Sequence, residues 1–139
     1  MRYRRTFFVL AILFAVLCIG INASAMDTGF STSEMSVEDQ RTFLSNIRLS
    51  VTSDEPPENA IVCFDVGKNG LIAIGSANSD QKNVSVYDAT GQFQYGYSFY
   101  CSQSIGVQWE TNGLMIYFVR SDVAALFDQN GINLELRMI

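Results

Sequence analysis

Five carboxylates stand at strand ends or turns, where a side chain can reach solvent: Asp65, Asp88, Glu110, Asp122 and Asp128. Two acids facing each other across a pocket, their carboxyl groups about 5–9.5 Å apart, are the machinery of glycoside hydrolysis. The same residue type has a plainer use. Asp at the start of a tight turn accepts hydrogen bonds from the backbone just after it, and most of these acids precede a Gly-containing turn. They are read as turn residues, with the acid/base pair kept as the enzymatic alternative. Asp128-Gln129-Asn130-Gly131-Ile132-Asn133 alternates Asp and Asn ahead of a Gly, as a calcium loop does, but lacks the further carboxylates and distant Glu of such a loop. It too is read as a hairpin turn. The chain has no histidine. That removes the side chain that titrates near neutrality, the commonest zinc ligand and every Ser-His-Asp or Cys-His arrangement. A P-loop, a Rossmann glycine fingerprint and clustered metal ligands are all missing from the sequence. No catalytic, cofactor-binding or metal residue is assigned, and no cofactor is expected.

Tyr95, Tyr97, Tyr100 and Trp109 have the chemistry of a platform on which a sugar or peptide could stack. Their spacing argues for another role. Phe93, Tyr95, Tyr97 and Phe99 alternate with Gln92, Gln94, Gly96 and Ser98, the period of a strand with one buried face. The aligned set is expected in the core, and Tyr100, out of phase with it, at the surface. Asn83-Val84-Ser85 matches a glycosylation sequon, a pattern common by chance.

The elements that position these residues follow from composition and punctuation. Residues 1–25 carry Arg2, Arg4 and Arg5, then the apolar run Phe7–Ile21, then Ala23-Ser24-Ala25. This is the plan of a signal peptide, and the run falls short of the ~20 residues that a spanning helix prefers. Cleavage after Ala25 and retention as an N-terminal membrane anchor both export the body, giving a protein that is secreted or held at the outer face of the cytoplasmic membrane. All 14 acids lie beyond residue 25, so the exported body is more acidic than the −5 of the whole chain. Its cations, Arg41, Arg48, Lys68, Lys82, Arg120 and Arg137, are scattered and form no stripe for phosphate, so nucleic acid is not an expected partner. Contact with membrane is expected only through the N-terminal helix. Cys63 and Cys101 are an even pair in an oxidising compartment and permit a disulfide, although Cys63 sits in an apolar run suited to a buried free thiol.

Residues 26–59 read as a tether: a polar stretch, a short helix over about 37–45 begun by Ser36 with Glu38 and Asp39 in its first turn, an alternating strand over about 47–52, and an acidic linker around Pro56-Pro57. Beyond it the chain is strand and turn throughout. Valine, isoleucine, phenylalanine and tyrosine are plentiful and suit pleated, half-buried surfaces. Residues 60–102 and 103–139 each divide into four strands. Asn69-Gly70-Leu71-Ile72 matches Asn112-Gly113-Leu114-Met115, and Tyr87-Asp88-Ala89-Thr90-Gly91 matches Phe127-Asp128-Gln129-Asn130-Gly131, in the same order and about 40 residues apart, the length of a propeller blade.

With these motifs, and with Phe-Asp-Val-x-x-Asn-Gly-Leu-Ile-Ala-Ile-Gly at 64–75, the stretch from about 47 to 136 resembles blades of NHL-, YVTN- and WD40-type β-propellers. It also resembles small uncharacterised exported proteins of Gram-positive bacteria. The resemblance implies a mainly β fold of two four-stranded antiparallel blade-like meanders, a partial β-propeller or a sandwich, after a hydrophobic N-terminal helix and a short second helix. Two blades are too few to close a ring of four to eight, which leaves sheet edges open to strand addition or self-association. The function expected is an extracytoplasmic, non-catalytic binding or scaffolding module whose partner is protein or glycan at the cell envelope. The alternatives are a carboxylate-dependent glycan hydrolase fragment and a truncated partial propeller without independent function.

Overall fold

The computed structural model describes residues 29–57 and 59–139. The hydrophobic helix expected within residues 1–25 lies outside them. Among the described residues no helix is long and apolar enough to cross a membrane. The described residues are mainly β, with two five-stranded antiparallel sheets and one short helix. In chain order the elements are β1 (Ser33–Glu34), α1 (Val37–Ile47), β2 (Ser50–Thr52), β3 (Ala60–Val66), β4 (Ile72–Asn78), β5 (Gln81–Tyr87), β6 (Phe93–Tyr100), β7 (Ile105–Glu110), β8 (Gly113–Phe118), β9 (Val123–Phe127) and β10 (Asn133–Met138).

One sheet has the order β2-β6-β5-β4-β3 and the other β1-β10-β9-β8-β7. Each is a four-stranded meander, as expected, plus one strand from the N-terminal segment. The expectation of four strands per sheet is therefore corrected to five. β2 adds to β6 through Val51 opposite Tyr97, and β1 adds to β10 through Glu34 opposite Arg137, a pairing helped by an ion pair at 3.5 Å. Both additions cover edges that would otherwise present unpaired backbone groups.

The helix begins where its cap residues place it. The Ser36 hydroxyl accepts from the Asp39 amide at 3.1 Å, and Glu38 and Asp39 sit in the first turn. It then runs through Ile47, and Arg48 ends it with a left-handed backbone (φ 47°), its amide donating a hydrogen bond to the Leu44 carbonyl. The strand is accordingly shorter than the alternation over 47–52 suggests. Ile47 follows Phe43 and Leu44 at helical spacing, and burying that stripe outweighs extending it as a strand. Ile47 is buried, and the Phe43 ring meets Phe118 edge-on at 4.9 Å.

The two sheets pack face to face. Tyr97 and Phe99 of β6 meet Phe127 of β9 and Phe118 of β8, with ring centroids 6.1 and 5.6 Å apart. The Tyr97 hydroxyl donates to the Asp128 carbonyl of the opposite sheet at 2.5 Å, so its polar tip is satisfied inside the core. Burial together with the neighbouring Tyr95 drives the Tyr97 phenol far above its usual range. Of the expected aromatic face, Tyr97 and Phe99 are fully buried and Tyr95 packs beside them, while Phe93 does not. A register shift between Val86 and Tyr87 turns Phe93 to the other face, where its ring stacks edge-on against Tyr87 at 5.8 Å. Tyr100 is exposed, as its phase predicts.

The β5–β6 and β9–β10 turns are built alike. Asp88 Oδ1 accepts from the amides of Thr90 and Gln92, and Asp128 Oδ1 from those of Asn130 and Ile132. Gly91 (φ 84°) and Gly131 (φ 75°) supply the left-handed position in each. Around Asp88 the bonds from Thr90 and Gln92 hold the carboxyl below its usual range. A depressed folded-state value stabilises the fold above the unfolded value of about 4 and loses that contribution as pH falls through the folded one. Asp88→Asn is therefore expected to flatten the acid limb of the stability curve below about pH 4, with stability read as the urea midpoint at successive pH values. An unchanged acid limb would show that the turn does not depend on the charge.

Candidate functional site

The sheets meet along their remaining edges, β3 and β7. These strands run side by side in the same direction: Val62 sits near Ser104 and Ile105 at one end, and Asp65 near Trp109 at the other. No ladder joins them. A polar contact crosses the gap, from the Trp109 amide to Asp65 Oδ2 at 2.7 Å. A carboxylate thus satisfies an amide that the edge strand would leave open. At their C-terminal ends the strands part, and a cleft of about 580 Å³ opens. Asp65, Lys68 and Asn69 line one wall, and Gln108, Trp109, Glu110 and Thr111 the other.

Each group there is held by its own element. Gly67 lets the Trp109 ring approach the backbone closely: a Cβ on Gly67 would meet the indole at 3.1–3.2 Å. The indole Nε1 is buried with no hydrogen-bond partner among the described residues. The Asn69 carboxamide oxygen accepts from the Leu71 amide, stiffening the β3–β4 turn. Gln108 donates to Glu110 Oε1 at 2.9 Å and accepts from the Tyr117 hydroxyl at 3.1 Å.

Of the five acids, Asp65 and Glu110 share this cleft. Asp88 and Asp128 are in hairpin turns, as expected. Asp122 sits in the β8–β9 connection with a left-handed backbone (φ 50°), its carbonyl accepting from the Ile139 amide at the far end of the sheet. Asp65 and Asp122 thus face different surfaces, while Asp65 and Glu110 line the same cleft. The role of Asp65 in holding the Trp109 amide, and those of Lys68, Asn69, Gln108 and Thr111, were not read from the sequence. The signal was present: matching Asn69-Gly70 to Asn112-Gly113 puts residues 65–69 and 108–112 at equivalent places in the two units. The cleft is where those places meet.

The outer faces of the two sheets differ. On the β7–β10 sheet Met115, Ala124 and Leu126 are fully buried under Tyr117, and a polar cover lies beside them. Asn133 donates to the Leu126 and Glu135 carbonyls, and Arg137 pairs with Glu135 at 2.7 Å. On the β2–β6 sheet the linker crosses the outer face, its Glu55 accepting from the Tyr87 hydroxyl at 2.7 Å, with Pro56 and Pro57 over Ile74 and Ser85. That cover stops short of β3, where Ile61 is 67%, Phe64 70% and Val66 57% exposed. Cys63 and Cys101 are both free thiols, each raised above the usual thiol range by burial. Among the described residues no group of His, Cys, Asp and Glu could hold a metal ion.

No family model, curated protein or solved structure matches the chain.

Proposed function

We propose that the protein is an extracytoplasmic, non-catalytic binding module of blade-like sheets, and that its partner is a protein docking on the outer face of β3. The observation that carries this reading is the bare apolar surface of Ile61, Phe64 and Val66 on an edge strand, on a molecule whose other sheet covers its apolar outer face. Isolated surface hydrophobes are ordinary, but a contiguous exposed apolar set on one strand marks an interaction site. Glu55 of the linker lies beside Ile61 at the rim and suits a partner whose apolar side chains are flanked by a basic one. Export is read from the N-terminal segment, and the absence of histidine weighs against catalysis.

The test is capture of a protein from cell-envelope extract on immobilised residues 26–139, compared with Phe64→Asp. Phe64 is exposed, so this change is expected to move stability by no more than about 0.5 kcal/mol while reducing capture at least about tenfold. Equal capture by both would place the partner elsewhere. No partner, together with measurable hydrolase turnover, would overturn the reading. A second reading, a carboxylate-dependent glycan hydrolase, is favoured by one observation: Asp65 and Glu110 line the same cleft. It requires release of reducing ends that Glu110→Gln abolishes.

A further inference from the structure

The cleft between the C-terminal ends of β3 and β7 has a chemistry of its own, independent of the β3 face. Its interior can be accounted for group by group. One oxygen of each carboxylate is engaged, Asp65 Oδ2 by the Trp109 amide and Glu110 Oε1 by Gln108. The second oxygen of each carries no hydrogen bond among the described residues. Nor do the Lys68 ammonium, the Asn69 amide nitrogen or the Thr111 hydroxyl, and no ion pair joins Lys68 to either acid. The cleft therefore presents acceptors and donors together, around a tryptophan that supplies an apolar wall. Its volume of about 580 Å³ lies within the range of small-molecule sites.

That combination selects among ligand classes. An anion would meet two carboxylates against one ammonium in an acidic molecule. A basic side chain would meet Lys68 at close range, with one oxygen of each acid already engaged. A metal ion finds no ligand cluster here. A neutral hydroxyl-rich ligand fits each feature, because every hydroxyl both donates and accepts and the C–H face of a sugar ring is apolar. We infer that this cleft binds a neutral oligosaccharide, with Trp109 as the packing wall and Asp65, Lys68, Asn69, Glu110 and Thr111 as the hydroxyl-binding groups.

Trp109 is the one tryptophan in the chain, so its fluorescence reports on the cleft directly. The full-length protein would be titrated with tetrasaccharides of β-1,4-linked glucose and of β-1,4-linked N-acetylglucosamine. The series would run to about 10 mM, at which a ligand with a Kd of about 1 mM fills most sites. A saturable change in Trp109 emission is expected with at least one of them. In the Lys68→Ala/Thr111→Ala double variant, which alters two exposed side chains, the apparent Kd should rise at least tenfold with the far-ultraviolet spectrum unchanged. Phe64→Asp should leave the response intact, which separates this site from the β3 face. Failure of both sugars to move the emission overturns the inference. So does a response of equal midpoint in the double variant, or saturation by phosphate or a simple alkylammonium in place of sugar.

Discussion

Phe118→Ala is expected to destabilise the fold by about 3–5 kcal/mol. Phe118 is fully buried where three elements converge: β8 carries it, Phe43 of α1 meets it edge-on at 4.9 Å, and Phe99 of the opposite sheet meets it at 5.6 Å. Truncation removes the transfer free energy of the ring and leaves a cavity whose walls belong to two sheets and a helix, so no single element can collapse into it. A domain of this size is stable by only about 5–15 kcal/mol, so the loss is a large share of the total. The urea midpoint should fall steeply, and α1 should become the first segment cut by protease, because Phe43 of the helix packs on the Phe118 ring. Phe43→Ala, at a half-buried position, should cost less. Equal effects at the two positions would mean that the helix, rather than the inter-sheet packing, dominates stability.

Gly113→Ala is expected to cost about 3 kcal/mol or more, from a single methyl group. A Cβ at that position would lie 2.2 Å from the Phe127 carbonyl oxygen and 3.0 Å from its carbon. Both atoms belong to the backbone of β9, all five residues of which are buried, and β9 is paired on both sides. A flexible side chain could move aside; this backbone cannot without breaking the β8–β9 ladder at Leu114 and Phe127. Gly106→Ala is the matched control on the neighbouring strand, since its Cβ would find only ordinary contact with Tyr117 at 3.6–3.7 Å. The two variants should differ widely in thermal midpoint, and similar midpoints would show that β9 yields where the packing says it is fixed.

Gly113 also shows how far a motif can be read without coordinates. Asn69-Gly70 and Asn112-Gly113 align, and the shared dipeptide suggests one shared reason for the glycine. Gly70 adopts a left-handed backbone (φ 81°), the reason expected of a turn. Gly113 does not, and is glycine because another strand passes against it. A local conformational need is written in neighbouring residues. A close approach depends on Phe127, and nothing near Gly113 in the chain announces it.

Phe93 and Ile47 carry the same lesson. Strict alternation assigns Phe93 to the core with Tyr97 and Phe99, yet one register shift turns it outward, because a bulge depends on the partner strand. Ile47 fits a strand period and a helix period alike, and the contest was settled by burial of the helical stripe in the core, Ile47 within it and Phe43 against Phe118 of a distant strand. By contrast, the Ser36 cap and the Asp88 and Asp128 turns were legible at once. Their bonds close within a few residues and need no tertiary partner.

The five acids divide along the same line. As turn residues Asp88 and Asp128 were determined by sequence alone, through the local bonding of Asp and the left-handed freedom of the glycine that follows. The sequence also determined the β-rich composition, the absence of histidine chemistry and the meander of short strands, since each depends on residue type and spacing. Only the tertiary structure decided that Asp65 spans to Trp109 while Asp122 lies at the far end, that the N-terminal segment adds a fifth strand to each sheet, and that β3 keeps its apolar face bare. Each of these depends on contacts between residues tens of positions apart, where the chain's own periodicity carries no information about the partner.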